Sequence, residues 1–93
     1  MFDRILEQMQ DKMRQRQYVM TLHAEEEMTD DGLSIYDIEA IVDSGMILER
    51  QKDQNTKTWK YRVHGRTLEG GAAEVIARLS LTGNVVIITV YLC

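Results

Sequence analysis

The chain has 93 residues, of which 44% are hydrophobic and 28% charged. This composition suits a globular chain and excludes a disordered one, and no apolar run approaches the roughly 18–20 residues of a membrane span. The formal net charge of −4 is unevenly spread: residues 1–49 carry −8 and residues 50–93 carry +4, which excludes a protein that coats nucleic acid by overall charge but leaves room for a local anion-binding face.

At this length a single domain over residues 1–93 with one core is expected. It would bury only roughly 60–65% of its unfolded surface, so stability should be modest and a partner or homo-oligomeric contact would help. The opening residues mix charges with glutamines and do not read as a secretory leader. The one cysteine, Cys93, cannot form an internal disulfide, and it fits a reducing cytoplasm. With no proline in the chain, every local stop must come from glycine, asparagine or aspartate.

In chain order, Phe2, Ile5, Leu6, Met9 and Met13 recur at spacings of three and four, which predicts an amphipathic helix whose stripe packs on the core. A short extended piece follows over 18–21. Thr21 can cap a short helix over 22–28, which Gly32 ends by taking a positive φ. Ser34 opens the next helix with Asp37 three residues on, a capping-box pair. Ile35, Ile38, Ile41 and Val42 are its apolar stripe, and Gly45 its C-terminal cap.

The period then changes. Residues 46–52 read as a strand and 53–56 as a turn of residues that bond their own backbone. Over 58–66 the alternation is clean. Trp59, Tyr61 and Val63 point toward a core, and Lys60, Arg62, His64 and Arg66 point away. Gly70 and Gly71 make a turn. Ala73, Val75, Ala77, Leu79 and Leu81 line one face of a further strand, and residues 82–84 a hairpin. Residues 85–92 are nearly all β-branched or apolar, as in a central strand buried on both faces. Helices first and strands afterwards predict an α+β fold: N-terminal helices on a mostly antiparallel four-stranded sheet.

Several short motifs fall in a fixed order: Thr21, His23 and Ala24; Ser34, Asp37 and Ile38; Gly45 and Ile47; and Thr89, Val90 and Tyr91 at the end. Over residues 18–92 the chain resembles the small bacterial family called domain of unknown function 4258, and residues 1–17 fall outside that likeness. It departs from the pattern at Asp31-Gly32, where members often carry an arginine. The resemblance implies a fold like the RelE and barnase ribonucleases and a toxin of a toxin–antitoxin pair. It further implies a metal-independent ribonuclease acting on RNA and restrained by a cognate antitoxin.

Metal-independent RNA cleavage needs a base for the ribose 2′-OH, fixed cations for the crowded phosphate and an acid for the leaving oxygen. Histidine suits either proton role, arginine the phosphate, and tyrosine a hydrogen bond or a stacked base. The catalytic candidates are therefore His64, Arg78, Tyr91 and His23. The RNA-binding candidates are Lys57, Lys60, Arg62 and Arg66. His64, Arg78 and Tyr91 gather only if separate strands present them on one face; if 86, 88 and 90 face the helices, Thr89 and Tyr91 share that outer face. No spacing of ligands argues for a metal, and no cofactor is expected. Trp59 reads as a core residue. Cys93 reads as an inert terminal thiol. A different class of function also fits the acidic N-terminal half: a non-catalytic protein-interaction module, or a toxin-derived domain without activity.

Overall fold

In the computed structural model of the chain, residues 1–55 and 57–93 are described. Residue 56, the last of the predicted turn, lies outside them. The elements run α1 (Asp3–Arg14), β1 (Tyr18–Met20), α2 (Leu22–Asp30), α3 (Ile35–Asp43), β2 (Met46–Asp53), β3 (Thr58–Arg66), β4 (Ala72–Leu79) and β5 (Val85–Leu92).

Local chemistry sets the helix boundaries. The Thr21 side chain accepts the Ala24 N–H at 3.1 Å at the start of α2. Gly32, at φ 70°, supplies the left-handed turn after it. The Ser34–Asp37 capping box forms at the start of α3. Asp37 holds more than the cap, because its second carboxylate oxygen accepts the Leu68 N–H. The hydrogen bonds from Ser34 and Leu68 keep its carboxyl below the usual range.

The sheet differs from the expected one. It has five strands, in the order β1-β5-β4-β3-β2, and it is mixed. β1 runs parallel to β5, pairing Val19 with Val86, with the Thr21 N–H donating to Ile87 O and the Val85 N–H to Gln17 O. Three residues are too few to show a period, so the extended piece over 18–21 did not announce itself as a fifth strand. The other three pairings are antiparallel.

The helices pack on one face of this sheet. The predicted stripe of α1 meets the core, with Met9 fully buried and Phe2, Ile5 and Leu6 packed against it. Ile38, Ile41 and Val42 of α3 are fully buried against Val63, Val75 and Ile87. Each such side chain stabilises the fold by about 1.5–3 kcal/mol. Ile35, expected in that stripe, is 40% exposed at the first turn. Two glycines allow α3 to approach β3. A Cβ on Gly65 would lie 2.0 Å from Ile41 O, and one on Gly45 would lie 2.5 Å from the same oxygen. Ser44 is the C-cap of α3, so Gly45 is needed for close packing, and it does not take the left-handed turn expected of it.

Among the described residues, the far face of the sheet carries no helix. This corrects the expectation that β5 is buried on both sides: Val85, Ile87 and Val90 are buried, while Val86, Ile88, Thr89 and Tyr91 are part exposed. The register slips by one residue opposite Ile76/Ala77, leaving Ile88 as the extra residue. The bulge moves the core-facing set to 85, 87 and 90, in place of 86, 88 and 90. Leu81 lies past the end of β4 and is fully exposed.

Where β1 ends, α2 continues along the edge of β5. The Thr21 hydroxyl donates to Ile88 O at 3.2 Å, and the Glu27 carboxylate accepts the Val90 N–H at 3.0 Å. A side-chain carboxylate and a hydroxyl thus satisfy backbone groups that a further strand would otherwise take. No helix among the described residues is long and apolar enough to cross a membrane.

Candidate active site on the open face of the sheet

One rung of the sheet brings three strands together on the open face. His64 on β3 stands opposite Glu74 on β4, and Glu74 stands opposite Tyr91 on β5. Glu74 is 7% exposed and is the hub. Its Oε2 lies 2.8 Å from His64 Nδ1. Arg62, one rung along, places Nη1 at 3.1 and 3.2 Å from the two carboxylate oxygens. The Tyr91 hydroxyl donates to Oε1. Arg62 also reaches Glu49 on β2, Nε to Oε1 at 3.3 Å, and the Gln51 side chain donates to that same Glu49 oxygen.

The charges in this cluster follow from the contacts. Burial alone would push the Glu74 carboxyl up, but hydrogen bonds from Tyr91, His64 and Arg62 outweigh it and hold the group at about 2. Tyr91 moves the opposite way, to about 12, because ionisation would set a phenolate against the carboxylate it donates to, and burial adds to the effect. The same hydrogen bond to Glu74 raises the Arg62 guanidinium further.

An ionised carboxylate only accepts hydrogen bonds. The proton between Glu74 and His64 therefore sits on Nδ1, and in the neutral ring Nε2 carries the lone pair. Nε2 has no hydrogen-bond partner among the described residues. The arrangement is an imidazole oriented by a carboxylate, with one ring nitrogen left to take a proton.

The remaining candidates divide. Arg66 lies one rung beyond His64 on the same face, is exposed, and donates to Gly70 O at 3.2 Å. Lys60 lies beyond Arg62 in the other direction, and Lys57 sits at the hairpin tip with φ 59°. Neither lysine has an ion pair among the described residues. Arg78 is four residues along β4 from Glu74, about 13 Å at strand spacing, and it pairs across to Val86. It is therefore not brought to His64. His23 is elsewhere too. It is exposed on α2, with Nε2 3.1 Å from Glu27 Oε1, at the β5 edge held by that glutamate.

Glu74 is the residue that sequence reasoning missed. The available signal was a lone carboxylate among Ala73, Val75 and Ala77, in the half of the chain that carries the positive charge. Cys93, read as an inert terminus, places Sγ 3.9 Å from His64 Nδ1, and burial pushes its thiol up. His64, Glu74 and Cys93 offer ligand atoms all within 4.8 Å of one another. Those residue types suit a divalent cation, but a cation bridging His64 Nδ1 and Glu74 Oε2 would have to replace the proton held between them and compete with the Arg62 guanidinium for that oxygen.

No curated protein and no solved structure matches the chain. A family model matches residues 20–92, beginning at the end of β1 and running to the end of β5, so that all of the cluster except Cys93 falls inside it. By that match the chain belongs to the family described as a domain of unknown function, DUF4258.

Proposed function

We propose that the chain is a metal-independent ribonuclease of the RelE and barnase-like kind, the toxin of a cytoplasmic toxin–antitoxin pair. In this reading residues 18–92 form the toxin-like unit and residues 1–17 an added helix that packs on it. The single observation that carries the reading is His64, held by Glu74 through Nδ1, with Nε2 unpartnered among the described residues on the open face of the sheet.

In this proposal His64 Nε2 takes the proton of a ribose 2′-OH, and the 2′ oxygen attacks the adjacent phosphorus. The P–O5′ bond breaks, the 5′ oxygen takes a proton from solvent water, His64 gives its own back to solvent, and the product is a 2′,3′-cyclic phosphate. The ionised Glu74 accepts the Nδ1 proton's hydrogen bond and so orients the ring for the transfer at Nε2. Arg66 and Lys60, on either side along β3, supply positive charge to the phosphate, because Arg62 already spends its guanidinium on Glu74. Tyr91 acts through Glu74 as a positioning residue.

The test is incubation of purified protein with free and ribosome-bound RNA in excess chelator. Cleavage to cyclic phosphate ends is expected, with His64→Ala losing about 100- to 10,000-fold of the rate while keeping the native circular dichroism spectrum. Intact RNA in both forms would overturn the proposal. The engagement of Arg62 by both oxygens of Glu74 favours a second reading, a non-catalytic protein-interaction module or a toxin-derived domain without activity. Absence of cleavage together with absence of salt-dependent RNA binding would support the interaction module.

A further inference from the structure

The β2–β3 hairpin carries a feature outside the Glu74 cluster. Helix cover on the apolar side of β3 stops at Tyr61, whose ring meets Phe2 edge-on at 5.9 Å. Trp59, the next residue on that side, lies beyond the helices and is 41% exposed. Its place outside the core corrects the expectation that both aromatics pack there. Cations hold the ring instead. The Arg50 guanidinium sits 3.9 Å from the ring centroid and the Lys52 ammonium 4.9 Å. Both residues are on the neighbouring strand, with Lys52 directly opposite Trp59.

The charge around it is lopsided. Residues 50–62 contain five basic side chains and one acidic one, Asp53, which is buried. Of the five, Arg62 alone is in an ion pair among the described residues. An acidic protein thus projects a hairpin with four cations outside any ion pair among the described residues: Arg50 and Lys52 on the face of the solvent-facing indole, Lys57 at the tip and Lys60 on the opposite face. A stacked base beside flanking phosphates is the ligand that uses both features. Folded protein surfaces supply acidic side chains but seldom a free flat ring.

We infer that the β2–β3 hairpin is a binding site for single-stranded RNA, in which a base stacks on Trp59 in place of the Lys52 ammonium. Arg50 fixes the ring from its own position, and Lys52, on the same face, and Lys57, at the hairpin tip, contact the neighbouring phosphates. The site names a substrate class for the proposed ribonuclease but does not depend on cleavage.

Trp59 is the sole tryptophan, so its emission reports this site alone. Titration at low salt with an unstructured 2′-O-methyl oligonucleotide, which has no 2′-OH to attack, should quench and shift that emission. The logarithm of the association constant should fall with log salt at a slope of about −0.7 per phosphate held. With a labelled oligonucleotide followed by anisotropy, Trp59→Ala should lose about 5-fold or more in affinity and Trp59→Phe much less. Lys52→Ala should make the salt slope shallower by about 0.7. A duplex of the same sequence should bind without quenching. Binding that leaves Trp59 emission unchanged, equal affinity in Trp59→Ala, or no binding at low salt would each overturn the inference. Quenching by the uncleavable oligonucleotide with no cleavage of natural RNA would overturn the ribonuclease alone, and cleavage without quenching would overturn the hairpin site alone.

Discussion

The two ends of β3 carry similar residues and differ in what neutralises them. At one end Arg62 and His64 converge on Glu74, and the charge is balanced within hydrogen-bond distance. At the other end Lys60 and Lys57 have no anionic partner among the described residues, and Arg50 and Lys52 rest on an indole. A balanced, half-dry cluster contributes to stability and fixes the ring of a histidine. An unbalanced, wet one contributes little to stability and keeps its charge for a ligand.

Removing the hub should break the comparison most visibly. Glu74→Ala leaves His64 and Tyr91 without their shared partner and Arg62 with Glu49 alone, and chemical denaturation should show a loss of about 2–4 kcal/mol. A loss below about 0.5 kcal/mol would mean that the two ends are energetically alike.

Acid should act on the same group. The folded-state carboxyl of Glu74 sits at about 2, below its ordinary 4.5, so its contribution is complete above pH 4.5 and is lost as the pH falls toward 2. Thermal melts should show stability declining across that window, and Glu74→Gln should flatten the decline. An unchanged acid limb in Glu74→Gln would assign the loss to other carboxylates.

Tyr91→Phe removes a single hydrogen bond to the carboxylate and should cost about 1–2 kcal/mol. The same variant should bring Glu74 back toward its ordinary value, which a carboxyl titration followed by NMR would read. Smallest of all, Lys60→Ala and Trp59→Phe should change stability by less than about 0.5 kcal/mol. A larger loss in either would show that the hairpin end is part of the structural scaffold after all.

Local chemistry in the chain already determined much of this. The stripe of α1, the Thr21 and Ser34 caps, the Gly32 stop and the alternation of β3 all rest on interactions within a few residues, and each formed where its residue types place it. The outward row of Lys60, Arg62, His64 and Arg66 was readable for the same reason, since a strand's side chains alternate whatever it pairs with. Tertiary structure decided everything that depends on register and cover. The slip at Ile88 chose which residues of β5 face the helices, and the rung that joins His64, Glu74 and Tyr91 exists only through the pairing of three strands separated in sequence. Where the helices stop decided that Tyr61 is buried and Trp59 exposed. Two residues with the same alternation differ there because burial depends on what lies across the gap, which no periodicity within one strand records.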